Sequence, residues 1–281
     1  MSDLLHQFSF DGTDVRGELA QLELSLQDAT RHHHYPKLIS QALGELLAAT
    51  ALLSANLKFP GRLTLQVRLG GSIRLLQAET NEKGELRAIA RFDEQQEEAQ
   101  LSFIDGQMVI TVEPENGQRY QGITAIAGGN VAQALEEYFL QSEQLPTRFW
   151  LATGDGKATG FMLQKVPAPA GTEVDEDAWE RLNFLAATAK QEELLELPAQ
   201  TLLQRLFHEE STRVYPATPL RFHCTCSKER LGNALRQVGY NELDSMLTEM
   251  GRIDIHCEFC QQPYLFERTD IEALFPERHL Q

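Results

Sequence analysis

Four cysteines are the residues of this chain best suited to do chemistry. They form two pairs, Cys224-Thr-Cys226 and Cys257-Glu-Phe-Cys260, separated by thirty residues. The 223 residues before Cys224 contain no cysteine. Random placement rarely produces that distribution, so the four are expected to act together. Four thiolates match the tetrahedral preference of zinc, whose all-cysteine sites are usually closed and structural. One zinc ion per chain, held by Cys224, Cys226, Cys257 and Cys260, is the expected cofactor. His223 and His256 each adjoin a cysteine and could stand in for a thiolate, but four cysteines already complete the shell.

Two readings of such a site compete. In one, the metal is a permanent clip in a domain that docks a partner. In the other, the site is a redox switch. Zinc would join chain segments thirty residues apart. If each pair oxidised internally, the links would become Cys224–Cys226 and Cys257–Cys260, which close tiny loops and restrain the unfolded chain little. The metal's folding contribution, on the order of 10 kcal/mol for structural zinc, would be lost, and the tail should unfold. The Cys257–Cys260 ring is the larger and less strained, so it is expected to form first.

The elements that must position the thiols are short. Ser227 can cap one helix and Asn241 a second, which Gly251 ends. Ile253 to Phe259 and Tyr264 to Phe266 read as two strands of a hairpin carrying the second cysteine pair. The fragment has few large apolar residues and is expected to need its metal to fold.

The rest of the chain reads as α+β. Val15 through Leu24 is an extended run. Pro36 opens a long apolar helix over Lys37 to Leu57. Leu63, Leu65, Val67 and Leu69 alternate, Gly70-Gly71 turns the chain into Ile73 to Ala78, and Asn81 to Gly84 turns it into Leu86 to Phe92. Met108 to Val112 alternates again. Gly128-Gly129-Asn130 precedes a helix over Val131 to Leu140 with Asn130 as its cap. Phe149 to Ala152 and Phe161 to Val166 flank a Gly-Asp-Gly turn. Breakers at Pro167-Ala-Pro-Ala-Gly171 and acids from Glu173 to Asp177 mark a boundary. Beyond it, Asp177 and Glu180 fit a capping box, and Trp179, Leu182, Leu185, Ala186 and Ala189 recur at helical spacing. After Pro198, a second stripe runs through Leu202, Leu203, Leu206 and Phe207. The expected organisation is a large α+β core domain over 1–170, a helical linker over 171–219 and a small zinc-binding domain over 220–281.

Lys and Arg number 25 against 41 Asp and Glu, a net charge of −16, which repels phosphate backbones and favours solubility. From residue 221 onward there are seven basic against ten acidic residues, so a basic recognition face is not expected. No apolar run approaches the length of a membrane span, and the N-terminus lacks the pattern of a secretory signal; a cytoplasmic location is the expectation. There is no Walker loop, GxSxG or HExxH, so neither ATP-driven nor hydrolytic chemistry, nor any enzymatic activity, is expected. His32-His33-His34 reads as loop, Gly154-Asp-Gly156 with Gly160 as a hairpin turn rather than a dinucleotide loop, Trp179 and Phe184 as core or docking contacts, and the acids from Asp93 to Glu98 as a solvated loop.

A CxC, about thirty residues, then a CxxC at the end of a chain of this size resembles the heat-shock protein 33 family of bacterial redox-regulated chaperones. The flanking residues His223-Cys-Thr-Cys226 and Gly251-Arg-Ile-Asp-Ile-His-Cys-Glu-Phe-Cys260 are similar to that family too, as is the whole-chain order of domains. The resemblance implies a zinc-bound, inactive, monomeric reduced state. It implies that hypochlorite, or peroxide with mild heat, releases zinc and unfolds the zinc domain and linker. The four cysteines would then be zinc ligands in one state and disulfide partners, Cys224–Cys226 and Cys257–Cys260, in the other. The oxidised form would be a homodimer that holds unfolding client proteins without ATP. No residue is marked as client-binding. The alternatives are a constitutive zinc-ribbon adaptor or nucleic-acid-binding protein, and a thiol oxidoreductase using Cys257 and Cys260. The last needs a CxxC at a helix start in a βαβ setting, whereas here the motif lies between strand-like pieces.

Overall fold

The computed structural model describes residues 3–57, 59–96, 105–127, 130–168 and 175–276. Its contacts divide the chain into two compact units, Met1–His223 and Cys224–Gln281.

The first unit is built around one apolar helix. β1 (Leu4–Phe10) and β2 (Val15–Leu22) lead into α1 (Leu24–Thr30) and α2 (Lys37–Ser54). Then follow β3 (Gly61–Leu69), β4 (Ile73–Asn81), β5 (Glu85–Phe92), β6 (Gly106–Pro114), β7 (Tyr120–Ile126), α3 (Val131–Tyr138), β8 (Thr147–Gly154) and β9 (Lys157–Lys165). Three helices, α4 (Ala178–Ala186), α5 (Gln191–Glu196) and α6 (Ala199–Leu206), precede three short strands, β10 (Thr212–Val214), β11 (Thr218–Pro219) and β12 (Arg221–Phe222). One sheet has the order β10-β1-β2-β9-β8, with β11 also on β1; the other has the order β12-β5-β4-β3-β6-β7. All pairings are antiparallel except β12 with β5. Thirteen of the eighteen residues of α2 are buried, because the helix is apolar around its whole circumference and has a sheet on each side. Gly160 permits the close approach of β9 to that helix: a Cβ there would lie 2.8 Å from the Leu52 side chain and 3.1 Å from the Ala48 carbonyl.

Alternation in the first sheet gives it two apolar faces. Leu5, Ala20, Ala158 and Met162 join the α2 core. Phe8, Phe10, Leu19, Phe161 and Leu163 join a second core with Ala178, Leu182 and Ala186 of α4 and Leu202, Leu203 and Leu206 of α6. The helical stripes after residue 177 therefore have their cover in the same unit. Trp179 packs against this core, while Phe184 is 80% exposed.

Several local expectations need correction. The run from Val15 stays extended only to Leu22; the Asp3 carboxylate then accepts the amides of Glu23, Leu24 and Ser25 at 2.8, 3.1 and 2.5 Å and turns the chain into α1. The helix from Lys37 ends at Ser54 rather than Leu57. Asn130 caps α3 as expected, accepting from the Gln133 amide, but α3 ends at Tyr138 and continues as a π turn over Phe139–Glu143. Asp177 makes no cap: its backbone is helical, at φ −85° and ψ −9°, and Asp175 instead accepts the Asp177 amide and pairs with Arg181. The Gly154-Asp155-Gly156 turn does form, with positive φ at Asp155 and Gly156 as a two-residue hairpin loop requires. Gly128-Gly129, Glu97-Glu98 and most of the Pro167–Val174 stretch lie outside the described residues.

The second unit contains α7 (Lys228–Leu235), α8 (Tyr240–Met250), the hairpin β13 (Ile253–His256) and β14 (Pro263–Phe266), and α9 (Arg268–Leu274). Among the described residues, its core is six buried side chains, Leu235, Leu243, Leu247, Ile253, Phe266 and Ile271, with partly buried neighbours packed against them.

Candidate metal centre

Each cysteine pair is held by a defined local turn. Cys224 and Cys226 lie in the extended segment before α7, where Ser227 accepts the Arg230 amide as N-cap. The Arg230 guanidinium donates to the Thr225 carbonyl at 3.0 Å, which fixes the residue between the two cysteines. Cys257 and Cys260 occupy the tight connection between β13 and β14. The Cys257 amide donates to the Gln262 carbonyl at 3.0 Å and the Gln261 amide to the Cys257 carbonyl at 2.8 Å; Gln261 takes a left-handed conformation, φ 57°, to close the loop. The first strand is shorter than the sequence suggests, ending at His256 and not Phe259, because the cysteine loop begins there. Asn241 is not the cap of α8: Gly239, at φ 95°, makes the entry and the helix starts at Tyr240, while Gly251 ends it at φ 77°.

The two turns bring the four sulfurs within 4.8 Å of one another. Cys224 Sγ is 3.6 Å from Cys257 Sγ and Cys226 Sγ is 3.5 Å from Cys260 Sγ. A disulfide would need about 2.05 Å, and all four are free thiols. Tetrahedral zinc with sulfur ligands at about 2.3 Å sets sulfurs about 3.8 Å apart. The donor set and its spacing fit such an ion.

The thiols differ electrostatically. Burial pushes Cys224 up, with neighbouring thiols adding to it and the Cys226 amide opposing. Burial likewise raises Cys260, against a hydrogen bond from the Gln262 amide. Cys226 moves down: burial raises it, but hydrogen bonds from the Tyr264 hydroxyl, at 3.2 Å, and from the other thiols outweigh that. Donation to Cys226, aided by burial, holds the Tyr264 phenol at about 12. Sequence reasoning did not single out Tyr264, because its contact is made across 38 residues.

Among the described residues, this is the metal-capable group, and it includes no histidine. His256 is exposed on β13. The His223 amide belongs to the first unit, donating to Leu86. His33 stacks on Tyr35 with centroids 4.7 Å apart.

Residues 3–267 match the family described as "Hsp33 protein". The chain belongs to the Hsp33 family. Hsp33 relatives include proteins named 33 kDa chaperonin. The one from Pseudomonas aeruginosa strain LESB58 is 44% identical over 281 residues, covering 98% of this chain and 95% of that one. The one from Shewanella loihica is 45% identical over 276 residues, covering 97% and 96%. A crystal structure of the 33 kDa chaperonin from Thermotoga maritima, an Hsp33 homologue, has the same fold, with a TM-score of 0.82 over 100% of this chain and 99% of that one, at 22% sequence identity. Among the described residues, no helix is long and apolar enough to cross a membrane.

Proposed function

We propose that this protein is a redox-regulated, ATP-independent holdase chaperone of the cytoplasm. In the reduced, monomeric state Cys224, Cys226, Cys257 and Cys260 hold one zinc ion, which supplies a cross-link between chain segments that six buried apolar residues hold only weakly. An oxidant such as hydrogen peroxide converts each pair to a disulfide: two thiols give up two electrons and two protons, and the peroxide leaves as two waters. Cys257–Cys260 forms first and Cys224–Cys226 second. No thiolate then remains to retain the metal, and the switch region, 220–281, unfolds. Disorder spreads into the linker, 171–219, whose helices cover the Phe8, Leu19 and Phe161 face of the first sheet. The uncovered apolar face is where unfolding clients, or a second protomer, would be held.

The observation that carries this reading is the convergence of four thiols from two distant turns in a unit with a six-residue core. Membership of a family whose members bear the name chaperonin supports it. The test uses the reduced protein. It is expected to contain one zinc per chain. On peroxide treatment at mild heat it is expected to lose four thiols and its zinc together, and to gain the ability to suppress aggregation of a heat-unfolded reporter protein. A reduced protein without zinc, or a C-terminal region that stays folded with both disulfides formed, overturns it. An adaptor would gain no holding activity, and an oxidoreductase would turn over a dithiol substrate.

A further inference from the structure

We infer that Tyr264 sets the order in which the two cysteine pairs oxidise. The inference rests on the switch proposed above and deepens it. Tyr264 lies on β14, the strand that leaves the Cys257–Cys260 turn, yet its hydroxyl donates to Cys226 Sγ, a member of the other pair, at 3.2 Å. The ring is fixed in place: Tyr264 pairs with Ile255 across the hairpin and packs against the small core around Phe266. With zinc bound, as proposed above, all four sulfurs would be thiolates; a thiolate that accepts a hydrogen bond has less electron density to offer an electrophile, so Cys226 is the poorer nucleophile while the hairpin stays in register.

The consequence is a sequence of events. One sulfur of the Cys257–Cys260 pair attacks a peroxide oxygen; an S–O bond forms, the O–O bond breaks, and hydroxide leaves and takes a proton to become water. The second sulfur attacks that sulfenic acid; the S–S bond forms, the S–O bond breaks, and a second water departs. The two sulfurs have lost two electrons and the peroxide has gained them. With its turn no longer tied to Cys224 and Cys226, the hairpin carries the Tyr264 hydroxyl away. Cys226 is then unmasked, and the second pair becomes open to the oxidant. The phenol thereby couples two chemically separate oxidations.

The experiment uses the full-length, reduced, zinc-containing protein and its Tyr264→Phe and Tyr264→Leu variants. Each is treated with less than one equivalent of hydrogen peroxide, alkylated at intervals and mapped by peptide mass. In the parent protein, Cys257–Cys260 is expected to dominate the singly oxidised species. In Tyr264→Phe the share of Cys224–Cys226 among singly oxidised chains is expected to rise about tenfold, and zinc affinity, read by competition with a chromogenic chelator, to fall by about the same factor, the scale of losing an outer-shell hydrogen bond. Unchanged order in Tyr264→Phe, or a change seen only in Tyr264→Leu, assigns the residue to packing and overturns the inference. In the unaltered protein, a singly oxidised pool dominated by Cys224–Cys226 also overturns it. If the parent protein switches normally and only the variant result fails, the tyrosine's role falls alone; a parent protein without zinc overturns both this inference and the switch.

Discussion

A sulfur in this site has two possible futures, and which it takes depends on its neighbours. Cys257 is the most enclosed of the four, 5% exposed, and its backbone closes the turn that presents Cys260. Cys257→Ser is expected to remove a ligand that no other group replaces: zinc content should drop well below one per chain, and amide exchange should accelerate across 224–276 and not in α2. Metal analysis with peptide-level hydrogen exchange checks this. Far from the thiols, Glu18 is a second residue with consequences. It is 1% exposed, and burial pushes it up to about 7, against the partial pull of Arg16 and of the Gln7 side chain. The folded chain keeps this proton up to about pH 7, whereas the unfolded chain releases it near 4.5. The folded state thus binds more protons between those values, and its advantage, complete below pH 4.5, is lost as pH rises through 7. Urea denaturation at pH 4.5 and pH 8.5 should show a loss of up to about 3 kcal/mol, and Glu18→Gln should abolish most of that difference. The four cysteines were legible because type and spacing alone specify a thiolate site. Tyr264 and Glu18 were not. One makes its contact far along the chain, and the other stands in Arg-Gly-Glu-Leu, where a lone acid reads as solvated until both faces of its sheet are known to be covered.

Helices α4 to α6 are amphipathic elements whose stripes call for cover from the large N-terminal domain but do not say which face of it. The structure supplies it: the aromatic face formed by β1, β2 and β9. Hydrophobic spacing recovered these helices because packing against one surface imposes a 3.6-residue period. Their ends were less legible. Caps depend on a single backbone conformation, and Asp177 and Asn241 have the right side chains in the wrong one. Leu202 is fully buried between α6 and the sheet, so Leu202→Ala is expected to cost about 2–5 kcal/mol at the place where the linker is held. Under reducing conditions, with zinc still bound, this variant should bind an apolar dye and suppress aggregation more than the parent protein does. A variant that is inactive until oxidised would detach the linker from the switch. On the opposite face of the same sheet, Gly160→Val should destabilise the first unit, because its branches meet Leu52 and the Ala48 carbonyl. A lowered thermal midpoint without altered zinc content checks that.

The molecule joins two units of unequal security. The first has a helix enclosed by two sheets and a second core beyond one of them; the second has, among its described residues, a small cluster around six buried side chains, and its thiols. Limited proteolysis after oxidation is therefore expected to degrade the chain from its C-terminal side and leave a resistant fragment containing β1 to β9. A net charge of −16 helps keep such a partly opened chain dissolved. The attachment of β12 has a further effect. This strand meets β5 through only two residue pairs, Arg221 with Glu85 and Phe222 with Leu86, and the residue after His223 is Cys224. Unravelling that begins at the sulfurs need travel only a few peptide bonds to peel β12 away. The backbone groups of Gly84 to Leu86 that β12 occupies would then lie open at the rim of the sheet, to which an extended stretch of another polypeptide could zip by main-chain hydrogen bonds, whatever its side chains.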